Sequence, residues 1–461
     1  MNLKRVVLST LIVSALSFSG ITYSAGEYEN IQQATADAPT HQQMIEWYRD
    51  AKFGMFIHLG IYSGIGKGEW SLQTRSEFNN GKLSGLNSYN SHIDELTITK
   101  ENIAKLVSRA KSTGMQYIIL TSRHHDSFSL WDTQADKYSS QYNAVAQGPK
   151  FDILKAFADE SHKQGIKLFV YYSLLDWTRS DYPVTSSPSQ AHLRVYQNQE
   201  GNWRSYRAFM NRQLSEILTN YGSIAGIWFD GYWAQDDKSL WQIESLYDTI
   251  NKLQPAALIG NNHGIDASTL LSREDFSIGE RGAAAGDSDI PGETVDTSQI
   301  GSRTSSSSTW GYVEGADIRS SAWMIRQLIT SISAGKNFVL NVGPRGDGTY
   351  PDALANALTA VGAWTTKNAE AIYSTRAGLP GTLSTQRSEA DGNTYFYFFV
   401  ENSGSRYLTI SSPGYTLRSA AVLGSGVDLP LNNTGDGATV DLKDITFTDG
   451  LPAVVKVAAS K

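Results

Sequence analysis

The chain contains no cysteine. That absence excludes a disulfide framework, thiolate catalysis, cysteine-ligated zinc and a lipoprotein-type anchor. Positive charge is not in excess either: 39 Lys and Arg stand against 46 Asp and Glu, for a formal net charge of −7. Without a basic stripe to follow a phosphate backbone, nucleic acid is excluded as a partner. Past the N-terminus no run reaches the roughly 18 uninterrupted apolar residues that crossing a bilayer requires. No glycine-rich phosphate loop follows an early strand, and no helix carries an H-E-x-x-H pair, so neither a cofactor nor a bound metal is expected. No internal period indicates a solenoid or propeller.

At 461 residues, with 40% hydrophobic and 11% aromatic residues, the chain is long and apolar enough for a large domain plus a smaller one. Its first 25 residues have the layout of a secretory signal peptide: Lys4 and Arg5, an apolar run from Val6 to about Phe18, then small residues through Ser24 and Ala25. Export to a bacterial periplasm or the medium is the corresponding expectation.

From about residue 45 to 370 short apolar runs alternate with helical patterns. Strands are expected at Phe53 to Leu59, Tyr117 to Thr121, Leu168 to Ser173, Ile224 to Asp230, Leu258 to Gly260 and Phe338 to Val342. Helices are expected between them, including one from Thr99 ended by Gly114, Phe151 to Gln164, and Tyr206 to Tyr221. Repeated β-then-α units with non-alternating strands imply a parallel sheet, and at this length an irregular (β/α)8-like TIM barrel spanning residues 26–372. Gly282 to Thr309, rich in Gly, Ala, Asp and Ser, reads as a long loop. Past Ser374 the texture changes to runs such as Tyr395 to Val400 and Ala453 to Val457, separated by turn residues, which is the pattern of an antiparallel β-sandwich over 373–461.

The most informative stretch is Gly226-Ile227-Trp228-Phe229-Asp230-Gly231-Tyr232-Trp233. An apolar strand delivers one acid among three rings, and Gly231 then releases the chain, so Asp230 is expected at the carboxyl edge of the barrel. His58 follows the first strand, and His124 and His125 follow the second. Imidazole edges suit sugar hydroxyls, and the adjacent pair also invites a metal reading, although neighbouring residues on a strand point to opposite faces. Glu69-Trp70, Tyr171-Tyr172, Trp177 and Trp310 add rings that can stack on a pyranose. Cleavage of a glycosidic bond requires a second carboxyl group, for which Glu274, Glu280 and Glu293 compete, with Arg281 as companion.

Four motifs in order, Trp47 to Gly60, Arg123-His124-His125-Asp126, Trp228-Phe229-Asp230-Gly231 and Asn341-Val342-Gly343-Pro344, resemble the α-L-fucosidases of glycoside hydrolase family 29. The resemblance implies a retaining exo-α-L-fucosidase with an irregular (β/α)-barrel, a C-terminal β-sandwich and a fucosylated oligosaccharide or glycan as substrate. It assigns Asp230 as nucleophile and His58, Glu69, Trp70, His124, His125, Tyr172 and Trp228 as sugar-binding residues. Arg281 and Trp310 join them. Glu293 is chosen as the acid/base, with Glu280 as fallback. Two other readings stay open: a metal-dependent hydrolase built on His58, His124 and His125, and a fucose-binding protein without turnover.

Overall fold

The computed structural model describes residues 39–461 apart from 79–82, 184–200, 265–269, 283–288, 301–308, 391 and 449. The signal-peptide segment and the end of the Ser-rich stretch, at 301–308, lie outside the described residues.

Eight parallel strands run in sequence around a barrel: β1 Phe53–Ile57, β2 Tyr117–Arg123, β3 Lys167–Ser173, β4 Gly226–Asp230, β5 Leu258–Asn261, β6 Ser277–Glu280, β7 Gly292–Thr297 and β8 Asn337–Val342. A parallel bridge between Gly260 and Phe276 joins β5 to the start of β6 and closes the ring. Closure depends on a glycine there, because a Cβ at position 260 would lie 2.2 Å from the Phe276 ring.

β1 to β5 and β8 form where expected because nearly every residue in them is buried and most are apolar. Phe56, Tyr117, Phe169, Tyr171, Trp228, Phe276 and Val295 belong to one buried cluster inside the barrel, while Ile118, Val170, Tyr172, Phe229 and Leu340 join the cluster under the helices. Lys100–Ser112 follows β1, Ile153–Gln164 follows β2, Trp203–Asn220 follows β3 and Ile243–Leu253 follows β4. Three of these start on side-chain caps, where Thr99, Asp152 and Asn202 accept from the backbone N–H three residues on.

Two strands differ from expectation. The stretch read as a loop from Gly282 to Thr309 contains β7, and β6 lies just before it. Gly-Glu-Thr-Val-Asp-Thr has one large apolar residue, so β7 offers no apolar run; it is held by parallel pairing to β6 and β8. Among the described residues no helix separates β5 from β6 or β6 from β7, which is where the barrel is irregular.

The antiparallel part begins with Arg376–Ala377 and comprises a six-stranded and a three-stranded sheet. Phe396, Phe398, Ile410, Val440 and Val457 share a core between these sheets. Tyr397, Phe399 and Val454 belong instead to the cluster that holds Leu358, Val361 and Trp364 of the helix Asp352–Lys367. Trp364 Nε1 donates to the Pro452 carbonyl at 2.9 Å, so the sheets sit on the barrel's helices and His41–Lys461 forms one compact unit.

Candidate active site

Strand register decides which side chains meet at the carboxyl edge. On β3 and β4, Tyr171 pairs with Trp228, Tyr172 with Phe229 and Ser173 with Asp230. Side chains alternate between faces, so the inward set is Tyr171, Ser173, Trp228 and Asp230, and the outward set is Tyr172 and Phe229. Gly231 then turns the chain at φ 86°, where a Cβ would meet the Leu175 backbone nitrogen at 2.7 Å. The Asp230 carboxylate is thereby left at the mouth of a cavity of about 330 Å³, in the range of small-molecule sites.

Four donors hold that carboxylate. Gly231 N, Trp233 Nε1 and Asn262 Nδ2 reach Oδ1 at 2.8, 3.0 and 3.1 Å, and the Tyr171 hydroxyl reaches Oδ2 at 2.8 Å. His125 Nε2 lies 3.5 Å from the same Oδ2.

The second acid at the cavity is Glu280, the last residue of β6. Asn262 Nδ2 donates to Glu280 Oε2 at 3.2 Å as well as to Asp230 Oδ1 at 3.1 Å. The two carboxylate oxygens are therefore no farther apart than those two lengths laid end to end, so both acids face one stretch of the cavity edge. Burial raises the Glu280 pKa above the ordinary carboxylate value, and the charge of Asp230 raises it further. Hydrogen bonds from the Asn262 and Trp310 side chains act the other way.

Glu293, expected as the acid/base, is elsewhere. It pairs in register with Asn337 and Ile278 near the start of the barrel strands, one inward position below Val295, and is fully buried. Its carboxylate accepts from the hydroxyls of Tyr48 (2.6 Å) and Tyr117 (3.0 Å) and from Trp228 Nε1 (2.8 Å). Glu293 does not line the cavity, and neither does Glu274, whose carboxylate is taken up by Tyr247, His263 and the Leu271 backbone. Strand register settles the depth of Glu293, which its position in the sequence left open.

Tyr172 is the second correction. Its ring faces outward, and its hydroxyl donates to Gln213 Oε1 at 2.9 Å on the helix Trp203–Asn220. The tyrosine at the cavity is Tyr171, its neighbour.

His58, His124 and His125 all line the cavity. The two adjacent histidines share it, against the alternation argument, because β2 shifts register between Thr121 and Arg123 and the chain then turns at His124. His58 Nδ1 is 2.6 Å from Asn341 Oδ1, and Asn341 Nδ2 donates to the Trp310 carbonyl, which fixes the amide's orientation. His58 therefore carries its proton on Nδ1 and presents Nε2 as an acceptor. Burial pushes the pKa of His58 down to about 3 and of His125 to about 4, and lowers that of His124 as well. All three are thus neutral hydrogen-bonding groups near neutral pH. His124 Nδ1 is buried without a hydrogen-bond partner.

Trp70, Trp228 and Trp310 line the cavity as expected, together with Trp233. Trp177 lies fully buried behind them, edge-on to Trp70 at 5.0 Å and His125 at 5.1 Å. Glu69 is not in the lining; its Oε2 accepts from the backbone N–H groups of Trp310 (2.9 Å) and Gly311 (2.8 Å) and so clamps the turn that presents Trp310. Arg281 stands over the Trp310 ring, 5.0 Å from its centroid. Asn262 and Val295 line the cavity without having been singled out as site residues. The doublet Asn261-Asn262 at the end of β5 was the available signal for the first of them.

His124, His125 and Asp230 each offer a ligand atom, all within 4.8 Å of one another, so these three are where the described residues come nearest to a metal site. The Asp230 oxygens already accept four hydrogen bonds, a setting suited to an uncoordinated carboxylate.

A family model described as α-L-fucosidase matches residues 21–370. The chain is 26% identical over 442 residues to an α-L-fucosidase of Dictyostelium discoideum, covering 88% of this chain and 90% of that protein. It is 27% identical over 347 residues to a plasma α-L-fucosidase of Homo sapiens, covering 72% and 70% respectively. Among solved structures, α-L-fucosidase isoenzyme 1 from Paenibacillus thiaminolyticus shares the fold at a TM-score of 0.74 and 24% identity, over 91% of this chain and all of that one. A Bacteroides thetaiotaomicron GH29 α-L-fucosidase trapped as a covalent intermediate with 2-fluoro-fucosyl fluoride shares it at a TM-score of 0.74 and 21% identity, over 92% and 98%.

Proposed function

The chain belongs to the α-L-fucosidase family, and on that premise we propose that it is a retaining exo-α-L-fucosidase in which Asp230 is the nucleophile and Glu280 the acid/base. The observation that carries the assignment is the single Asn262 amide bonded to both carboxylates at the edge of a ring-lined cavity.

In the first step an Asp230 oxygen bonds to C1 of fucose as the glycosidic C–O bond breaks, and Glu280 gives its proton to the leaving oxygen. Glu280 enters this step protonated because burial and the facing Asp230 charge disfavour its ionised form. Once Asp230 is esterified that charge is gone, so the Glu280 pKa falls and its anion is no longer repelled. The ionised Glu280 then takes a proton from water, whose oxygen bonds to C1 while the Asp230 ester bond breaks. One electrostatic coupling thus serves both steps.

The neutral histidines 58, 124 and 125 suit sugar hydroxyls, and Phe56, Val295 and Trp310 offer apolar surface for the 6-methyl group. The signal-type segment at the N-terminus supports export to the periplasm or medium. A metal-dependent reading draws on His124, His125 and Asp230, and indifference of turnover to chelators removes it. The test of the main reading is release of fucose from an aryl α-L-fucoside: Asp230→Ala abolishes it, and azide restores activity to Glu280→Ala. Full activity in the Asp230 variant refutes the assignment.

A further inference from the structure

Beneath the cavity Glu293 is an ionisable group with no lysine, arginine or histidine among the partners of its carboxylate. Such a group is expensive to bury, and a core of rings such as Phe169, Phe276 and Tyr117 would close without it. Its two oxygens are used differently. Oε2 takes both tyrosine hydroxyls, whereas Oε1 takes Trp228 Nε1 alone.

Trp228 is the layer between Glu293 and the cavity. Its indole packs face-to-face on Tyr171, at 5.5 Å and 23°, and edge-on against Phe56, at 5.2 Å and 71°. Tyr171 in turn donates to Asp230 at 2.8 Å. Flat ring contacts alone leave an indole free to choose between two roughly equivalent χ2 orientations. One directed N–H bond removes that choice.

We propose that Glu293 is a positioning residue that acts through Trp228, fixing the indole in the one orientation that walls the sugar cavity and backs the Tyr171 phenol on Asp230. The inference rests on the fucosidase reading for its kinetic consequences, while its structural consequence, a single indole orientation, is independent of that reading.

The role requires an acceptor at the right reach and not a charge. Glu293→Gln keeps a carbonyl oxygen for Trp228 and an amide for the tyrosine hydroxyls. Glu293→Asp keeps the charge but withdraws the oxygens from the indole by one methylene. The experiment measures kcat and KM of both variants on aryl α-L-fucosides with good and poor leaving groups, with and without azide, alongside near-UV circular dichroism. Glu293→Gln is expected to keep kcat within about threefold and the wild-type tryptophan bands. Glu293→Asp is expected to lose about 10- to 100-fold in kcat, as a misplacement on the order of an ångström costs, equally for both leaving groups and without azide rescue, with altered bands. In the Trp228→Phe background the two variants are expected to differ little. The proposal is overturned if Glu293→Asp is active and Glu293→Gln is not, if azide rescues either variant, or if Glu293→Asp retains both wild-type kcat and wild-type bands. Should the wild-type enzyme itself turn over no fucoside, the functional reading fails, and the dichroism of the two variants still decides the inference.

Discussion

Asp230 and Glu280 are tied through one nitrogen: Asn262 Nδ2 lies 3.1 Å from an oxygen of the first and 3.2 Å from an oxygen of the second. A shared donor holds the acids at a fixed separation and favours the ionised form of Glu280. Asn262→Ala is therefore expected to lower kcat about 10- to 100-fold through looser geometry. The Asn262 bond lowers the Glu280 pKa, so its loss lets that pKa rise. The alkaline limb of the kcat/KM profile, where the acid deprotonates, should move to higher pH in the variant. An unmoved limb would separate Asn262 from the titrating acid.

Glu280→Gln removes the proton donor but not the nucleophile. General acid assistance is worth about 10²- to 10⁴-fold, so the loss in kcat/KM should be large for alkyl fucosides and small for aryl fucosides with activated leaving groups. The alkaline limb should vanish in this variant for substrates that need no protonation. Equal losses across leaving groups would point to another acid.

The two adjacent tyrosines make a paired test. Tyr171→Phe removes the hydroxyl bond to Asp230 and is expected to lower kcat roughly 10- to 100-fold with little change in Tm. Tyr172→Phe leaves Gln213 Oε1 without its buried donor, costing about 1–3 kcal/mol of stability while kcat stays near wild type. Thermal melts and initial rates on both variants check the pair.

Burial raises the Glu293 pKa from 4.5 to about 7, against three hydrogen bonds that lower it. Between those values the folded chain holds a proton that the unfolded chain has released, so stability falls as pH rises from about 4.5 to 7 and then levels off. Over that window the contribution is roughly 3 kcal/mol. Glu293→Gln cannot titrate, and the difference in Tm between wild type and variant should follow this window. A difference independent of pH would contradict the raised pKa.

Six of the eight barrel strands were legible because they are apolar on both faces, and so was the change to antiparallel sheets, where turn residues punctuate aromatic runs. The missing two, β6 and β7, carry Glu280 and Glu293 themselves. Polar inward residues at their ends remove the apolar signal, so the element that holds a site is harder to read than the scaffold around it. Without β6 and β7 the depth of each glutamate was invisible, and Glu293 was favoured over Glu280. Tyr171 was within reach of sequence reasoning: Trp228 and Asp230 share a parity, and a neighbouring strand in register admits Tyr171 and not Tyr172. His124 and His125 show the limit of that rule, since alternation ends where β2 does.

The most direct test of the two-carboxylate account is covalent trapping with 2-fluoro-fucosyl fluoride in a Glu280→Gln background, read by intact mass and peptide mapping. A single fucosyl adduct on the peptide containing Asp230 is the predicted result. An adduct on Glu293 or another carboxylate, or turnover of the reagent with no covalent species at any time, would contradict it.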